Sequence, residues 1–494
     1  MNSNLYKTLI CLGIITWNTS CKRNVQVEIN NQNITESSKS DRPNIILILC
    51  DDLGYADVGF NGSEDIKTPE LDALAGNGII FSSAYVAHPF CGPSRAALMT
   101  GRYPHQIGSQ YNLPRAHNNA GKGISLQETF ISKVLQQAGY YTGAIGKWHL
   151  GTITKYHPNN RGFDDFYGFL GGGHNYFPDQ FKAAYKEQKD AGNTEIWDYI
   201  TPLEYNGAEV DENEYITDAL SREASKFVNK ASEKDSPFFL YLSYNAPHTP
   251  LEAKEEDLKV YAHIKDEKRK TYAAMVHAVD RGVGQLINTL EKTEQLENTL
   301  IVFLSDNGGR TDQGGNNFPL RGRKGNTSEG GIRVPMFFHW PKKITKGKTF
   351  DYPVSALDFY PTFAGLAKIE LPDHKIVDGK DIWSDLIVGG NPRKGAPILT
   401  LRHRKTSNEV GVRLDHWKAY KPERAPWKLY DIEKDIGEEN DISNQHPDIL
   451  KELIEKSNEW AKTHSDPEWF HDEETEENWY KMKMPKFEET FKLN

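Results

Sequence analysis

Four apolar runs in this chain each end in a cluster of polar, reactive residues, and that repetition leaves little choice of fold. Asn44-Ile-Ile-Leu-Ile-Leu-Cys50 runs into Asp51-Asp52-Leu53-Gly54, and Tyr141 to Ile145 leads to Lys147 and His149. Phe238-Phe-Leu-Tyr-Leu242 leads to Asn245-Ala-Pro-His248, and Leu300-Ile-Val-Phe-Leu304 leads to Ser305-Asp306-Asn307. A run that is apolar at every position, rather than at alternate ones, is the pattern of a parallel strand covered on both faces. Helical spacing lies between the runs: Leu126 to Gly139 is apolar at 126, 130, 131, 134 and 135, and Tyr272 to Leu290 at 275, 279, 283, 286, 287 and 290. Strands alternating with helices predict a doubly wound α/β sheet, in which ligands bind beyond the carboxyl ends of the strands. Four strands deliver reactive side chains to that edge, so an active site is expected there.

Another stretch offers a nucleophile. His88-Pro-Phe-Cys91-Gly-Pro-Ser-Arg95-Ala-Ala-Leu-Met-Thr100-Gly101-Arg102 reads as an exposed cysteine followed at once by a helix start. Pro93 suits a first helical position, Ala96 to Met99 are strong helix formers, and Gly101 suits the exit. Free N–H groups at such a start, with Arg95 about one turn further on, favour an anion or a thiolate. Taken alone, a cysteine before a surface helix is more often simply buried.

Asp51, Asp52, Asp306 and Asn307 are oxygen donors without a histidine or cysteine among them. That set suits a hard cation, Ca²⁺ more than Mg²⁺; the plainer alternative is carboxylates that cap loops.

At 494 residues two unequal domains are expected, and the net charge of −10 argues against nucleic acid. It also requires any polyanionic substrate to be held by a local basic pocket. Residues 1–21 read as a secretory leader, with Lys7 before the apolar stretch from Leu9 to Trp17. Thr19-Ser20-Cys21 resembles a bacterial lipoprotein cleavage site, although Asn18 stands where such signals usually carry Leu. A lipid anchor at Cys21 is therefore expected, and with it an exported protein, periplasmic or on the outer membrane; ordinary cleavage near Ser20 is the alternative. Residues 22–42 suit a polar tether. Of the four cysteines, Cys11 leaves with the leader and Cys50 ends an apolar run, buried and inert.

The main domain is expected over residues 43–395. Gly171-Gly-Gly-His174 and the Gly/Arg-rich stretch from Asn316 to Arg333 read as surface loops, and Leu357 to Ala367 as a helix. Residues 396–465 change character: strand-like runs at 398–401, 410–413 and 428–431 precede a helix at about 447–463, which predicts a small α+β subdomain. The acidic, aromatic extension 466–494 carries no structural reading of its own.

Cys91-Gly-Pro-Ser-Arg95 with Thr100-Gly101-Arg102, and Gly139-Tyr-Tyr-Thr142-Gly-Ala-Ile-Gly146-Lys147-Trp-His149, resemble the signatures of the type I sulfatases, and the likeness runs from about Pro43 to Asp431. It implies an alkaline-phosphatase-like mixed sheet and hydrolysis of sulfate esters. It further implies that a maturation enzyme oxidises Cys91 to formylglycine, an aldehyde whose hydrate attacks sulfur with one hydroxyl and expels sulfate with the other. That hydroxyl places Cys91 among the ligands of one Ca²⁺. Related two-metal phosphatases tend to carry His at the position of Asn307, so a single ion is implied. In the same pattern Arg95 and Lys147 hold the formylglycine and the charge beside the metal, and His149 assists the hydrate. His248 and Lys324 contact the sulfate and protonate the leaving oxygen. Lys324 lies in Arg321-Gly-Arg-Lys324-Gly, followed by Glu329-Gly-Gly-Ile-Arg333, similar to the family's lysine loop.

The expected activity is removal of sulfate from an environmental sulfated carbohydrate, such as an algal polysaccharide or its oligosaccharides. The alternatives are a phosphate or phosphonate ester hydrolase of the same superfamily, and a surface protein that binds sulfated glycan without turnover. Arg402-His403-Arg404-Lys405 reads equally as a sugar subsite or a solvated turn.

Overall fold

The computed structural model describes residues 42–114, 121–344, 347–404, 407–481 and 490–492. The leader, with Cys11 and Cys21, and the tether up to residue 41 lie outside these residues, as does Lys405. Five parallel strands form the centre, in the order Thr299–Ser305, Asn44–Cys50, Phe238–Ser243, Tyr141–Lys147 and Asp165–Phe169. Met336–His339, antiparallel to its neighbours, then Ile79–Phe81 and Lys348–Phe350 extend one edge. The hairpin Leu203–Tyr205 and Ala208–Val210 extends the other and completes a ten-stranded mixed sheet.

The continuous apolar runs have a simple cause. In Asn44–Cys50, Ile45, Leu47 and Leu49 enter one core while Ile46, Ile48 and Cys50 enter the other. Helices Ile216–Ser232 and Glu267–Lys292 cover the second face. Cys91–Thr100, Ile131–Gln137 and Phe359–Leu366 cover the first. Cys50 is buried, and burial pushes its thiol well above the usual range, so it stays protonated.

The helix expected over Leu126 to Gly139 is shorter, Ile131–Gln137, because Phe130 is extended and Leu126 is turned out to solvent. A second difference concerns Cys91. Its helix begins at Cys91 itself, two residues before Pro93, and all ten of its residues are buried. Ala96, Leu98 and Met99 pack into the main core, whereas Ala97 joins Tyr103 and Leu357 in the core of the C-terminal sheet. A helix gripped from both sides keeps its first residue off the surface, so Cys91 is 2% exposed rather than exposed.

The C-terminal sheet has four antiparallel strands, Ile398–His403, Asn408–Leu414, Trp417–Lys421 and Lys428–Asp431, with the helix Pro447–Ala461 packed against it. The third strand is not evident in the sequence because Lys418 interrupts its apolar pattern. In the fold Lys418 is buried and lies 2.9 Å from Glu329 of the main domain. Just beyond 465 the chain returns to the main domain: Glu468 N donates to Gly108 O, and Trp469 Nε1 to Tyr111 O, both at 2.9 Å.

Candidate active site

Because the central strands are parallel, their carboxyl ends meet on one edge, and the reactive residues follow from there. Asp51 and Asp52 leave Asn44–Cys50, Lys147 ends its strand, and Asp306 and Asn307 leave Thr299–Ser305. His149 and His248 follow within a few residues of their strands. Asp52 and His149 both have left-handed backbone, φ 66° and 62°, a strain that clusters at functional sites. Across the edge lies the start of the Cys91 helix. Phe90 gives that start no side-chain cap; instead Asn112 Oδ1 accepts from Gly92 N at 2.9 Å and lies 3.8 Å from Cys91 Sγ.

Two groups of ligating atoms converge here: Asp51, Cys91 and Asp306 lie within 4.8 Å of one another, as do Asp51, Asp52 and His248. Three cations balance the carboxylates. Arg95 holds Asp306 and also donates to Ser243 Oγ, Tyr241 OH (3.2 Å) and Lys147 O (3.2 Å). Lys147 Nζ is bonded to Asp51 Oδ2, and Lys324 Nζ lies 2.6 Å from Asp52 Oδ1. Arg95 is expected to hold the formylglycine and the charge beside the metal; its bonds to Asp306 and the sheet place it beside the candidate metal ligands.

Donor chemistry fits a cation. Asp51 Oδ1, Asp52 Oδ2 and Asn307 Oδ1 are buried without a hydrogen-bond partner among the described residues. Asn307 Nδ2 is spent on Asp52 Oδ1 at 2.7 Å, which turns its carbonyl oxygen free. Burial, and then the charge of Asp51, push Asp306 above the usual carboxylate range. Burial acts on Asp51 in the same sense, but Lys147, His248, Arg95 and Lys324 outweigh it and hold Asp51 low. Crowded buried acids with oxygens left unpartnered are what a divalent ion relieves.

His248 Nδ1 donates to Thr249 O at 2.6 Å, so Nε2 is the nitrogen that faces the site, 3.8 Å from Asp52 Oδ2. Burial lowers its pKa to about 4, so the ring is neutral near pH 7. Lys324 shifts the other way. Burial opposes its charge, but Asp52, Cys91, Asp51 and Asp306 hold it protonated. His149 lies against Gly172, where a Cβ would come within 2.9 Å of His149 Nε2; only glycine permits that approach.

Above these groups opens a cavity of about 580 Å³ with Cys91, His149, His248 and Lys324 in its lining. Its outer wall includes Trp197, Tyr199, Arg310 and His471, none of which stands out in the sequence. Trp197 stacks on Tyr199 with ring centroids 4.4 Å apart, yet remains 42% exposed. Gly171 to His174, expected as a surface loop, is drawn inward: His174 is fully buried, its ring nitrogens bonded to Asn175 O and Thr201 O.

Fold and site together suit a metal-assisted ester hydrolase, and comparison with known proteins identifies the ester as sulfuric. The Sulfatase family model matches residues 43–369, and that of the N-sulphoglucosamine sulphohydrolase C-terminal region matches 324–463. Arylsulfatase J of Mus musculus is 30% identical, the alignment covering 92% of this chain and 82% of the relative. The crystal structure of Ps i-CgsB in complex with k-i-k-neocarrahexaose is 56% identical with a TM-score of 0.90, covering 91% of this chain and 100% of that one. The PsFucS1 sulfatase from Pseudoalteromonas sp. is 26% identical with a TM-score of 0.71, covering 90% and 95%. The chain belongs to the sulfatase family and is a sulfuric ester hydrolase.

Proposed function

We propose that this enzyme removes sulfate from a sulfated galactan of the carrageenan type or its oligosaccharides, using formylglycine made from Cys91 and one Ca²⁺. The observation that carries the reading is the position of Cys91, buried at the pocket floor between Asp51, Asp306 and Asn112. Its Sγ stands where an oxygen of the converted side chain would stand. Asp51, Asp52, Asp306 and Asn307 would hold the ion. Bound there, Ca²⁺ and formylglycine supply Lewis-acid charge stabilisation and a nucleophile that regenerates itself on release of sulfate.

The chain's own residues carry the rest. Lys324, fixed as a cation, and His248 face the space above Cys91 and suit a sulfate group whose charge grows during transfer. With Nδ1 committed to Thr249 O, His248 can donate only through Nε2, and only once protonated; an arriving sulfate monoester raises that tendency. His149, held against Gly172, is placed beside Cys91 to take a proton. Trp197 and Tyr199 offer a flat apolar face at the mouth for a sugar ring.

The substrate class is supported by the 56% identity to Ps i-CgsB, whose complex holds k-i-k-neocarrahexaose. The leader and Cys21 support an exported, lipid-anchored enzyme acting at the cell envelope, matured by a formylglycine-generating enzyme. The test is sulfate release from carrageenan oligosaccharides, sulfated glycosaminoglycan oligosaccharides and an aryl phosphate. Release from the first with little from the others supports the proposal. Preference for the phosphate would overturn it.

A further inference from the structure

A second cavity, of about 550 Å³, adjoins the first, and the two share Phe90, Asn112 and His471 as a common wall. Arg402, from the strand Ile398–His403, projects into this wall. Its guanidinium stacks on Phe90, 4.5 Å from the ring centroid, and donates through Nη1 to Gly325 O. Gly325, adjacent to Lys324, has φ +89°, and a Cβ there would lie 2.5 Å from Arg402 Nη1. This glycine therefore lets the guanidinium reach the edge of the sulfate pocket.

Arg402 has no carboxylate partner among the described residues, although other charges line the same cavity. Arg404 is bonded to Glu409 and lies 3.6 Å from Glu423, which also has Arg424 at 3.9 Å. Asp472 accepts from Thr475 N and Oγ1 at 2.7 and 2.6 Å. Burial and the like charge of Arg404 lower the Arg402 pKa to about 10, which still leaves it fully charged near neutrality. Glu409 and Glu423 offset this burial in part from a distance, but neither is bonded to the guanidinium, so a bound anion would be its direct partner. The planar fork of arginine suits a tetrahedral oxyanion, and this fork borders a site that takes sulfate.

We propose that the second cavity is a subsite for a second sulfate ester, carried on the sugar next to the one being desulfated and anchored by Arg402. This deepens the functional reading above and rests on it. It gives the enzyme a preference for densely sulfated chains, and it offers a net-acidic protein a local means of gripping a polyanion.

The test compares two oligosaccharides that share the scissile sulfate and differ only in the neighbouring one. The Arg402→Met variant keeps the packing on Phe90 and removes the charge; Arg402→Lys restores charge without the fork. With the doubly sulfated substrate, Arg402→Met is expected to raise KM roughly tenfold or more with little change in kcat, with Arg402→Lys intermediate. With the singly sulfated one, neither variant should alter KM. Calorimetric binding to Cys91→Ser protein, with and without Arg402→Met, reads the same preference without turnover. Equal losses on both sugars, or none on either, would overturn the subsite. Release of no sulfate from either sugar by the mature wild type would instead overturn the functional reading.

Discussion

Arg95 donates through Nε to Asp306 Oδ2 at 2.9 Å, and its Nη2 reaches the same oxygen at 2.8 Å. The Cys91 helix is thereby locked to the strand end that carries the candidate metal carboxylate. Both partners are fully buried, and Arg95 also lies 3.6 Å from Asp51 Oδ2. Arg95→Met therefore leaves two buried acids undercompensated and should cost about 3–5 kcal/mol of stability. A denaturant midpoint at pH 8 unchanged from the wild type would show that Arg95 does not carry this load.

Chelation should lower both activity and melting temperature, and Ca²⁺ should restore both better than Zn²⁺, because the expected donors are all oxygen. An ion at a hundredfold its dissociation constant contributes roughly 2.7 kcal/mol to stability. Asp306→Ala should abolish the Ca²⁺-dependent rise in melting temperature. A full rise in that variant would place the ion elsewhere.

Much of this site is legible in sequence because it rests on strand ends, where a change from an apolar run to Asp51-Asp52 or Asp306-Asn307 is a local signal. The doubly wound sheet follows from the same runs. Residues whose role depends on distant chain return are not legible. Asn112 caps the Cys91 helix from a loop some twenty residues on, and His471 reaches the pocket only because the extension folds back past Tyr111. Cys91 looked exposed because a short helix shows its own propensities but not the second core, around Ala97 and Tyr103, that closes over it. Arg402 is not distinguishable from a solvated turn in sequence, because Gly325 and Phe90, which pack against it, lie far away along the chain.

A cluster of buried histidines gives a pH dependence separate from catalysis. The His105 ring lies 4.9 Å from His464, 5.2 Å from His403 and 5.7 Å from His88, joining the main domain to the C-terminal region. Burial lowers His403 to about 4; burial, and then His403, lower His464 to about 3. Between those values and the ordinary histidine pKa of about 6.5, the unfolded chain binds more protons than the folded one. Stability should thus fall as pH drops below about 6.5 and keep falling towards 4. His105→Gln should shallow that slope in urea titrations between pH 7 and 5, and an unchanged slope would count against the cluster.

His248 as a proton donor can be separated from His248 as a mere sulfate contact by the leaving group. A sugar alcohol needs a proton as it departs, whereas an activated phenol hardly does, and general acid catalysis contributes roughly 10²–10⁴-fold where it is needed. His248→Ala should depress kcat/KM on a sulfated sugar far more than on an activated aryl sulfate. Equal losses would leave His248 with a binding role only. A His149 substitution should depress both, since its assigned step is common to every substrate.

The central claim is that Cys91 becomes the aldehyde that attacks sulfur, and the mass of the Cys91 peptide from sulfate-releasing protein tests it most directly. The expected peptide has lost the thiol sulfur and gained a carbonyl oxygen, in step with specific activity across preparations. A fully active preparation whose Cys91 still carries its unmodified thiol would contradict the account.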